Sequence, residues 1–348
     1  MGGRPVRLGL VLVGLAVVAL AVVAVASAVG TVNIPVPSVL RFLFTGDAGD
    51  PSWTTLLDRV RLPRVGTAAT AGAGLAVAGL VMQTLFANPL ADPYVLGISS
   101  GASLGVALIT LGGGTVGAGF VAITGAGRGG VVVAAAAGAL AVLLVILLFG
   151  RWISSVITLL IIGVMVSSAV GAVTSLLLAF AEPARLQQFI SWGLGSFSGV
   201  PRGDLVLLMT IIGVAAIILF AVSQSLNAML LGERYALTMG VRVRLIRYTA
   251  ITATAIIAGA VTAYCGPIAF LGIAVPHLAR LLIGTSDHRI LLPATLLLGV
   301  IVAVACSMIT QLPPGDLVLP VNVVSALVGV PVVLVVLVRS RRLAAGAV

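Results

Sequence analysis

The sequence predicts an all-α, polytopic membrane protein with about ten transmembrane helices and both termini in the cytoplasm. The first observation is composition: of 348 residues, 60% are hydrophobic and 8% are charged, whereas soluble domains carry about 25% charged residues. The second is a series of apolar runs close to the roughly 20 residues that cross a bilayer as a helix. The third is the distribution of arginine between these runs. We expect residues 1–348 to form a single transmembrane domain.

Ten apolar runs divide the chain. The first follows Arg4 and Arg7 and is about 22 residues long, longer than the 7–15 residues of a signal-peptide core, so we interpret it as a retained span. The predicted spans are 8–30, 65–86, 94–112, 129–149, 157–180, 205–224, 246–264, 268–283, 291–311 and 320–338.

The positive-inside rule orients these spans. All 19 basic residues are arginine. Twelve of them fall in the terminal and connecting segments on the side of the N-terminus and seven on the other side, while acidic residues are more numerous on the second side. Because cytoplasmic connections carry the excess of basic residues, both termini are predicted to be cytoplasmic. The net charge of +10 therefore reports topology, and we do not expect a nucleic-acid partner.

Two connections are long. The predicted outer connection, 31–64, ends in a dense charged patch that includes Asp58, Arg61 and Arg64. The predicted cytoplasmic connection, 225–245, is amphipathic and is interrupted by Gly232 and Gly240. Its pattern indicates short helices on the membrane surface. For both connections the alternative is an ordinary solvated loop.

Small residues recur at helical spacing. Gly163, Ser167, Gly171 and Ser175 share one face of the fifth predicted span, and Gly97, Gly101 and Gly105 share a face of the third. Such stripes are typical of close helix packing in lipid. The alternative for the serine-bearing stripe is the wall of a polar pathway between two subunits. Mildly polar hydroxyls would let a hydrophilic cargo slide without holding it.

Several kinds of chemistry are excluded. Without lysine the chain has no Walker A phosphate loop. Residues 97–101 match G-x-S-x-G, but the motif opens an apolar helix and the only histidines are His277 and His288. Cys265 and Cys306 lie in apolar segments without a C-x-x-C partner. We therefore expect no catalytic residue, no metal site and no cofactor bound by this chain.

Ordered motifs run along almost the whole chain. They are Arg61-Leu-Pro-Arg64, QTLFANPLADPYVLGISSGA at 83–102, Leu226-Asn227 with Leu231-Gly232-Glu233, GPIAFLG at 266–272, Val275-Pro-His277, Asp287-His-Arg289, Leu319-Pro320 and LVGVP at 327–331. In these motifs the chain resembles the FecCD-type permease family, the membrane subunits of ABC importers for iron–siderophore, haem and cobalamin.

The resemblance implies the type II ABC importer permease fold and a set of partners. Ten helices per subunit would surround a pathway shared with a second permease subunit, either a second copy or a related chain. Two cytoplasmic ATPase subunits would bind ATP and Mg²⁺. An extracytoplasmic substrate-binding protein would dock on the outer face. The predicted location is the bacterial inner (cytoplasmic) membrane, multi-pass in the lipid bilayer.

The resemblance also implies roles for particular residues. The docking arginines would be Arg61 and Arg64, with anchoring of a helix end as the alternative. The coupling contact with the ATPase would involve residues of the 225–245 loop: Leu226, Asn227, Leu231, Gly232, Glu233, Ala236 and Gly240. The inner gate and pathway wall would include Ser154, Ser155, Gly163, Ser167, Gly171 and Ser175.

Two positions depart from the family pattern. The segment before the last span is Val318-Leu-Pro-Val-Asn322, where relatives often begin with Glu and end with Gly, and Gln311 stands where relatives can carry a further docking arginine. The sequence thus predicts a permease subunit for a metal chelate, with ferric siderophore as the leading cargo and haem or cobalamin as alternatives. The competing class is an ion-coupled secondary transporter, which would need ionisable residues at mid-membrane.

Overall fold

The computed structural model describes residues 3–30, 32–111, 127–153, 155–312 and 318–345, and over these ranges the chain is helical without β-strands. We number the helices in chain order: α1 (Gly3–Ala28), α2 (Val36–Thr45), α3 (Pro51–Leu85), α4 (Ile98–Thr110), α5 (Gly127–Gly150), α6 (Val156–Ala179), α7 (Pro183–Gly193), α8 (Arg202–Ala221), α9 (Ser223–Met229), α10 (Glu233–Thr238), α11 (Val243–Cys265), α12 (Leu271–Ile283), α13 (His288–Ile309) and α14 (Val321–Ala345).

Each predicted span coincides with a helix. Among the described residues, seven helices are long and apolar enough to cross a membrane: α1, α3, α5, α6, α8, α11 and α13. The other three predicted spans correspond to α4 and α12, each of 13 residues, and to α14, whose apolar part is Val321–Val335. The all-helical class is therefore confirmed, while the count of ten crossings and the orientation of the termini stay predictions.

The predicted outer connection 31–64 is mostly helical. It contains α2, and α3 begins at Pro51 instead of near residue 65. The Asp50 carboxylate accepts hydrogen bonds from the backbone N–H groups of Ser52 (2.7 Å) and Trp53 (3.3 Å), and Pro51 occupies the first helical position. Both features favour a helix start. One π-helical turn, Leu57–Arg61, interrupts α3 before it continues to Leu85.

The chain divides into two compact units, each of which collects helices distant in sequence. The first comprises Met1–Leu80, Phe197–Met209 and Ala269–Val348. In this unit α1 packs on α13, with Leu15 against Ala294 and Ile283 of α12 alongside.

Glycines set the packing of α3 in the first unit. Gly72 faces Gly299 of α13 so closely that a Cβ on either would collide with the carbonyl of the other. Seven residues further on, a Cβ on Gly79 would collide with the carbonyl of Gly272 in α12. Because helices in lipid gain little from burying apolar surface against each other, such backbone proximity is their main means of packing.

The second unit comprises Val81–Ser196 and Thr210–Ile268. Its tightest pair is α4 with α5. Gly101 lies against the carbonyl of Gly138, and Gly105 lies against the carbonyl of Ala134. The predicted packing face of Gly97, Gly101 and Gly105 therefore includes a real helix contact within this unit.

We expect Gly105→Ala to lower the free energy of unfolding by about 1–3 kcal/mol, because the added methyl overlaps the Ala134 carbonyl. Gly213 in α8 is the matched control, since a Cβ there meets nothing within 4 Å. Gly213→Ala should leave stability unchanged or raise it by up to about 1 kcal/mol through helix propensity. Thermal unfolding in detergent measures both, and equal midpoints for the two variants would contradict the assigned contact.

Candidate functional site

The predicted coupling segment folds as two short helices, α9 and α10, as the amphipathic pattern indicates. Leu226 and Ala236 are fully buried and hold the helices in place, while Asn227 is partly buried. Leu231, Gly232, Glu233 and Gly240 are exposed.

Sequence reasoning missed the apolar neighbours of these exposed residues. Leu230, Tyr235, Leu237 and Met239 are each about half exposed and Leu231 is 65% exposed, so five apolar side chains on α10 and its two flanks reach the surface. We call Leu230, Leu231, Tyr235, Leu237 and Met239 the coupling surface. An exposed apolar patch of this kind is typical of a protein–protein contact.

Gly232 and Gly240 bound α10 for a conformational reason. Their φ angles are +104° and +80°, a region that L side chains rarely adopt. A Cβ at either position would meet nothing within 4 Å in this chain. The glycines are therefore required by the turns at the two ends of α10.

The first turns of α11 connect α10 to the end of α5. Arg247 pairs with Glu233 of α10. Arg244 donates from Nη2 to the carbonyl of Arg151 (3.0 Å) and lies over the ring of Tyr248. The Tyr248 hydroxyl donates to the carbonyl of Gly150. One helix face thus contacts both the coupling segment and the α5–α6 connection.

Neither contact was predicted from the sequence. The available signal was the spacing of Arg244, Arg247 and Tyr248, since residues three and four apart share a helix face. Their partners lie 14 to 98 residues away in the chain and could not be identified from local pattern.

The predicted gate and pathway residues lie on or beside α6. Ser154 is outside the described residues. Ser155 is exposed and caps α6, its hydroxyl accepting a hydrogen bond from the backbone N–H of Thr158 (3.2 Å). Within the stripe, Gly163 is buried against Leu96, and Ser167 lies beside Gly97.

The second half of the stripe is open. Gly171 has nothing within 4 Å of an added Cβ, and Ser175 is exposed. The structure therefore divides the stripe between packing in this chain and a face left uncovered by the described residues. In the most apolar 18-residue segment of α6, 17% of the residues are buried, so most of this helix is left uncovered by the described residues.

Arg61 is buried, although the sequence places it in a charged surface patch. It is 3% exposed, and its Nη1 donates to the carbonyls of Ser27 (3.0 Å) and Ala28 (2.6 Å), while Nη2 donates to the carbonyl of Val32. The two Nη1 bonds satisfy carbonyls at the C-terminal end of α1, and the Nη2 bond satisfies one in the segment that follows. Arg64 is 8% exposed. The docking role of both residues stays a prediction.

The exposed charges near Arg61 belong to other residues. Asp58 pairs with Arg202 at the start of α8, and Arg59 is exposed beside them. These three side chains line a surface cavity of about 510 Å³ together with Phe42 of α2 and Thr54 of α3. Asp58 and Arg202 are 144 residues apart, so the sequence does not indicate their pairing.

The connection between α3 and α4 is built from two side-chain turns. Asn88 accepts a hydrogen bond from the backbone N–H of Leu90 (3.0 Å), and Asp92 accepts one from that of Tyr94 (2.8 Å). Gly97 then starts α4 with a φ of +83°. These contacts explain the Asn-Pro, Asp-Pro and Gly elements of the motif as turn chemistry. Burial raises the pKa of Asp92 to about 6.

Both cysteines and His277 are buried in this fold. Cys265 and Cys306 are buried free thiols. His277 is buried, with Nδ1 2.8 Å from the carbonyl of Ile273 in its own helix. Within the part of the chain that the structure describes, no three His, Cys, Asp or Glu side chains are grouped to hold a metal ion.

Comparison with known proteins gives a consistent set of relatives. The model of the FecCD transport family matches residues 12–339. The uncharacterized ABC transporter permease protein YvrB of Bacillus subtilis strain 168 is 35% identical, over 90% of this chain and 89% of that protein. The vitamin B12 import system permease protein BtuC of Citrobacter koseri is 36% identical, over 82% of this chain and 83% of that protein.

A solved structure is similar over nearly the full length. It is described as an inward-facing conformation of a metal-chelate type ABC transporter and has a TM-score of 0.82 at 26% sequence identity. The similarity covers 94% of this chain and 99% of the solved one. The fold and the sequence therefore point to the same group of proteins.

We expect Arg61→Lys to destabilise the protein by roughly 2 kcal/mol, because an ammonium cannot reproduce the guanidinium bonds to three carbonyls and such charged bonds contribute about 1.5–3 kcal/mol each. Arg59→Lys is the control, as Arg59 is exposed. Melting midpoints in detergent, without any binding protein, measure the effect. Indistinguishable midpoints for the two variants would rule out the structural role of Arg61.

The raised pKa of Asp92 predicts a pH dependence. The folded state holds the proton up to about pH 6, whereas an unfolded aspartate loses it near pH 3.9. Folding stability should therefore decrease as pH rises from about 4 to 6. Asp92→Asn should melt above wild type at pH 7.5, and the difference should shrink at pH 4. The exposed Glu182→Gln serves as control; a wild-type advantage over Asp92→Asn at pH 7.5 would refute the assignment.

Proposed function

Because the chain belongs to the FecCD transport family of ABC importer permeases, we propose that it carries a metal chelate into the cytoplasm across a bacterial inner membrane. Ferric siderophore is the leading cargo, and the metal-chelate type of the similar solved transporter supports this class. Cobalamin is the main alternative and is supported by the BtuC relative, a permease of a vitamin B12 import system. Haem is the third.

The energy for transport would come from two partner ATPase subunits that bind ATP and Mg²⁺. The observation that carries this proposal is the coupling surface on α10 and its flanks, which exposes apolar side chains beside Glu233. An apolar patch around one charge suits a partner groove, where the apolar side chains supply affinity and the charge fixes register.

Movement of α10 would be transmitted through α11. The Arg247–Glu233 pair joins α10 to α11, and Arg244 and Tyr248 join α11 to the carbonyls of Arg151 and Gly150. The α5–α6 connection that follows carries the predicted gate serines. A rigid shift of α10 upon ATPase closure would therefore pull on the gate through three side chains of one helix face.

The open half of α6 would face a second permease subunit. Gly171 and Ser175 lie on this uncovered part, where a mildly polar wall would pass a hydrophilic cargo. A second copy of the chain and a related permease are both compatible with this arrangement. The substrate-binding protein would dock at the end of the molecule that carries α2 and the start of α3.

Docking at that end has two candidate sets of arginines. Arg61 and Arg64 match the family motif but are buried, so docking through them would require Arg61 to leave the α1 carbonyls. Arg59 and Arg202 are exposed around the 510 Å³ cavity and can meet partner carboxylates directly.

We expect Leu231→Arg combined with Met239→Arg to reduce co-purification of the partner ATPase at least tenfold. Both side chains are exposed, at 65% and 59%, so the fold should be unaffected. Each introduced arginine would be buried against the apolar surface of the partner without a counter-charge, which weakens the contact. Leu312→Arg is the control, because Leu312 is 71% exposed and lies outside the coupling segment.

The readout is a pull-down of the tagged permease in detergent, with equal membrane yield and monodispersity checked first. Undiminished ATPase recovery in the double variant would refute the coupling assignment. The same complex, reconstituted in liposomes with its binding protein, tests the cargo. ATP-dependent uptake of ferric siderophore would support the leading proposal. Uptake of cobalamin or haem without uptake of ferric siderophore would contradict it and identify that compound as the cargo.

A further inference from the structure

A basic pocket lies where three candidate spans begin or end. α5 ends at Gly150, α6 begins at Val156 and α11 begins at Val243. The cavity between these ends measures about 270 Å³. Its lining includes Arg151, Arg244, Arg247, Trp152, Tyr248, Glu233 and Leu237, the last of which also belongs to the coupling surface. Since the ends of spanning helices define the edge of the hydrocarbon layer, this pocket lies at the level of lipid headgroups.

The charge of the pocket favours an anion. Its lining contains three arginines and one acidic side chain, Glu233, which Arg247 neutralises. Arg151 and Arg244 are both exposed, and Arg244 is held in place by the Arg151 carbonyl and the Tyr248 ring. Arg151 and Arg244 both line this opening, and arginine guanidinium groups match the oxygens of a phosphate.

An apolar groove begins at the same tyrosine. It is about 620 Å³ in volume and runs between α8 and α11. Ile218, Val214 and Thr210 line one side, and Tyr248, Thr252 and Ile256 line the other. Eight residues of α11 span about 12 Å, close to the depth of one bilayer leaflet.

We propose that this pocket and groove form a binding site for an anionic phospholipid. The phosphate would lie between Arg151 and Arg244, and one acyl chain would occupy the groove from Tyr248 toward Ile256. Trp152, at 73% exposure beside the pocket, is placed as an interfacial anchor. Basic pockets between helices at the membrane edge are suited to acidic headgroups.

The groove is the reason for choosing a lipid over a free phosphate. A soluble anion would use only the arginines, whereas a phospholipid has a charged head and an apolar tail in the same order as the pocket and groove. The bound lipid would bridge the α5–α6 connection and α11 beside Glu233. The site does not depend on the identity of the cargo and is tested without ATPase or binding protein.

The test measures the melting midpoint of the delipidated full-length protein while phosphatidylglycerol is added, with phosphatidylcholine in parallel. Wild type should be stabilised by phosphatidylglycerol at lower concentration than by phosphatidylcholine. In Arg151→Gln with Arg244→Gln, the apparent affinity for phosphatidylglycerol should fall about 30-fold, since each arginine near an acidic lipid contributes about fivefold. Arg234→Gln with Arg242→Gln removes two exposed arginines outside the pocket and should bind as wild type.

The groove is tested by a variant and a matched control on the same helix. Val214→Trp fills the groove, whereas Ile217→Trp changes an exposed residue of the same helix that does not line it. We expect only Val214→Trp to weaken phosphatidylglycerol binding. If the paired arginine variant is too unstable to assay, Arg151→Gln alone should show about a fivefold loss.

Three results would overturn the proposal. Equal stabilisation by both lipids removes the anionic preference. Full stabilisation by inorganic phosphate or glycerol phosphate assigns the pocket to a soluble anion. Unchanged phosphatidylglycerol affinity in Arg151→Gln or in Val214→Trp removes the assigned pocket or the assigned groove.

Discussion

Lipid tails are as apolar as leucine, so helices in a bilayer gain little by burying side chains against each other. Packing must then come from close fit between helices, and here the closest contacts are at glycines, which have no side chain. Gly72 meets Gly299 in one unit, and Gly101 meets Gly138 in the other, backbone against backbone. These contacts fix where the long helices run within each unit. The coupling helices, the α5–α6 connection and the basic pocket all rest on scaffolds held in this way.

Much of the fold was predictable from hydropathy, because a span of about 20 apolar residues has few alternatives in a bilayer. The failure was at the start of α3. Charges at Asp58, Arg59 and Arg61 suggested a solvated connection, yet these residues are helical. The local signal was present in Asp50-Pro51, a capping residue followed by proline at the first helical position. Charged residues normally indicate exposure to water, so the charges here outweighed the helix-start signal. Arg61 is an exception, because its side chain binds backbone carbonyls instead of water.

The candidate site was predicted less completely, for a reason of distance along the chain. The glycines and exposed residues around α10 follow from local pattern, and the structure places them on short helices as expected. The contacts of Arg247, Arg244 and Tyr248 join segments 14 to 98 residues apart, which no single-sequence periodicity reports. The small-residue stripe on α6 was ambiguous for a different reason: Gly163 packs inside the chain, while Gly171 is open.

The burial of Arg61 makes the first helix indispensable to the rest of the chain. Its guanidinium can stay out of water because carbonyls at the end of α1 accept its hydrogen bonds. Without α1, this permanently charged group would lose two of its three carbonyl acceptors and keep only that of Val32, at a cost of several kcal/mol. During synthesis α1 leaves the ribosome first, and its last carbonyls gain this partner only when residue 61 follows. The pairing of α1 with α3 therefore depends on residue 61, and any shortened variant that starts after residue 30 would leave Arg61 without its two α1 acceptors.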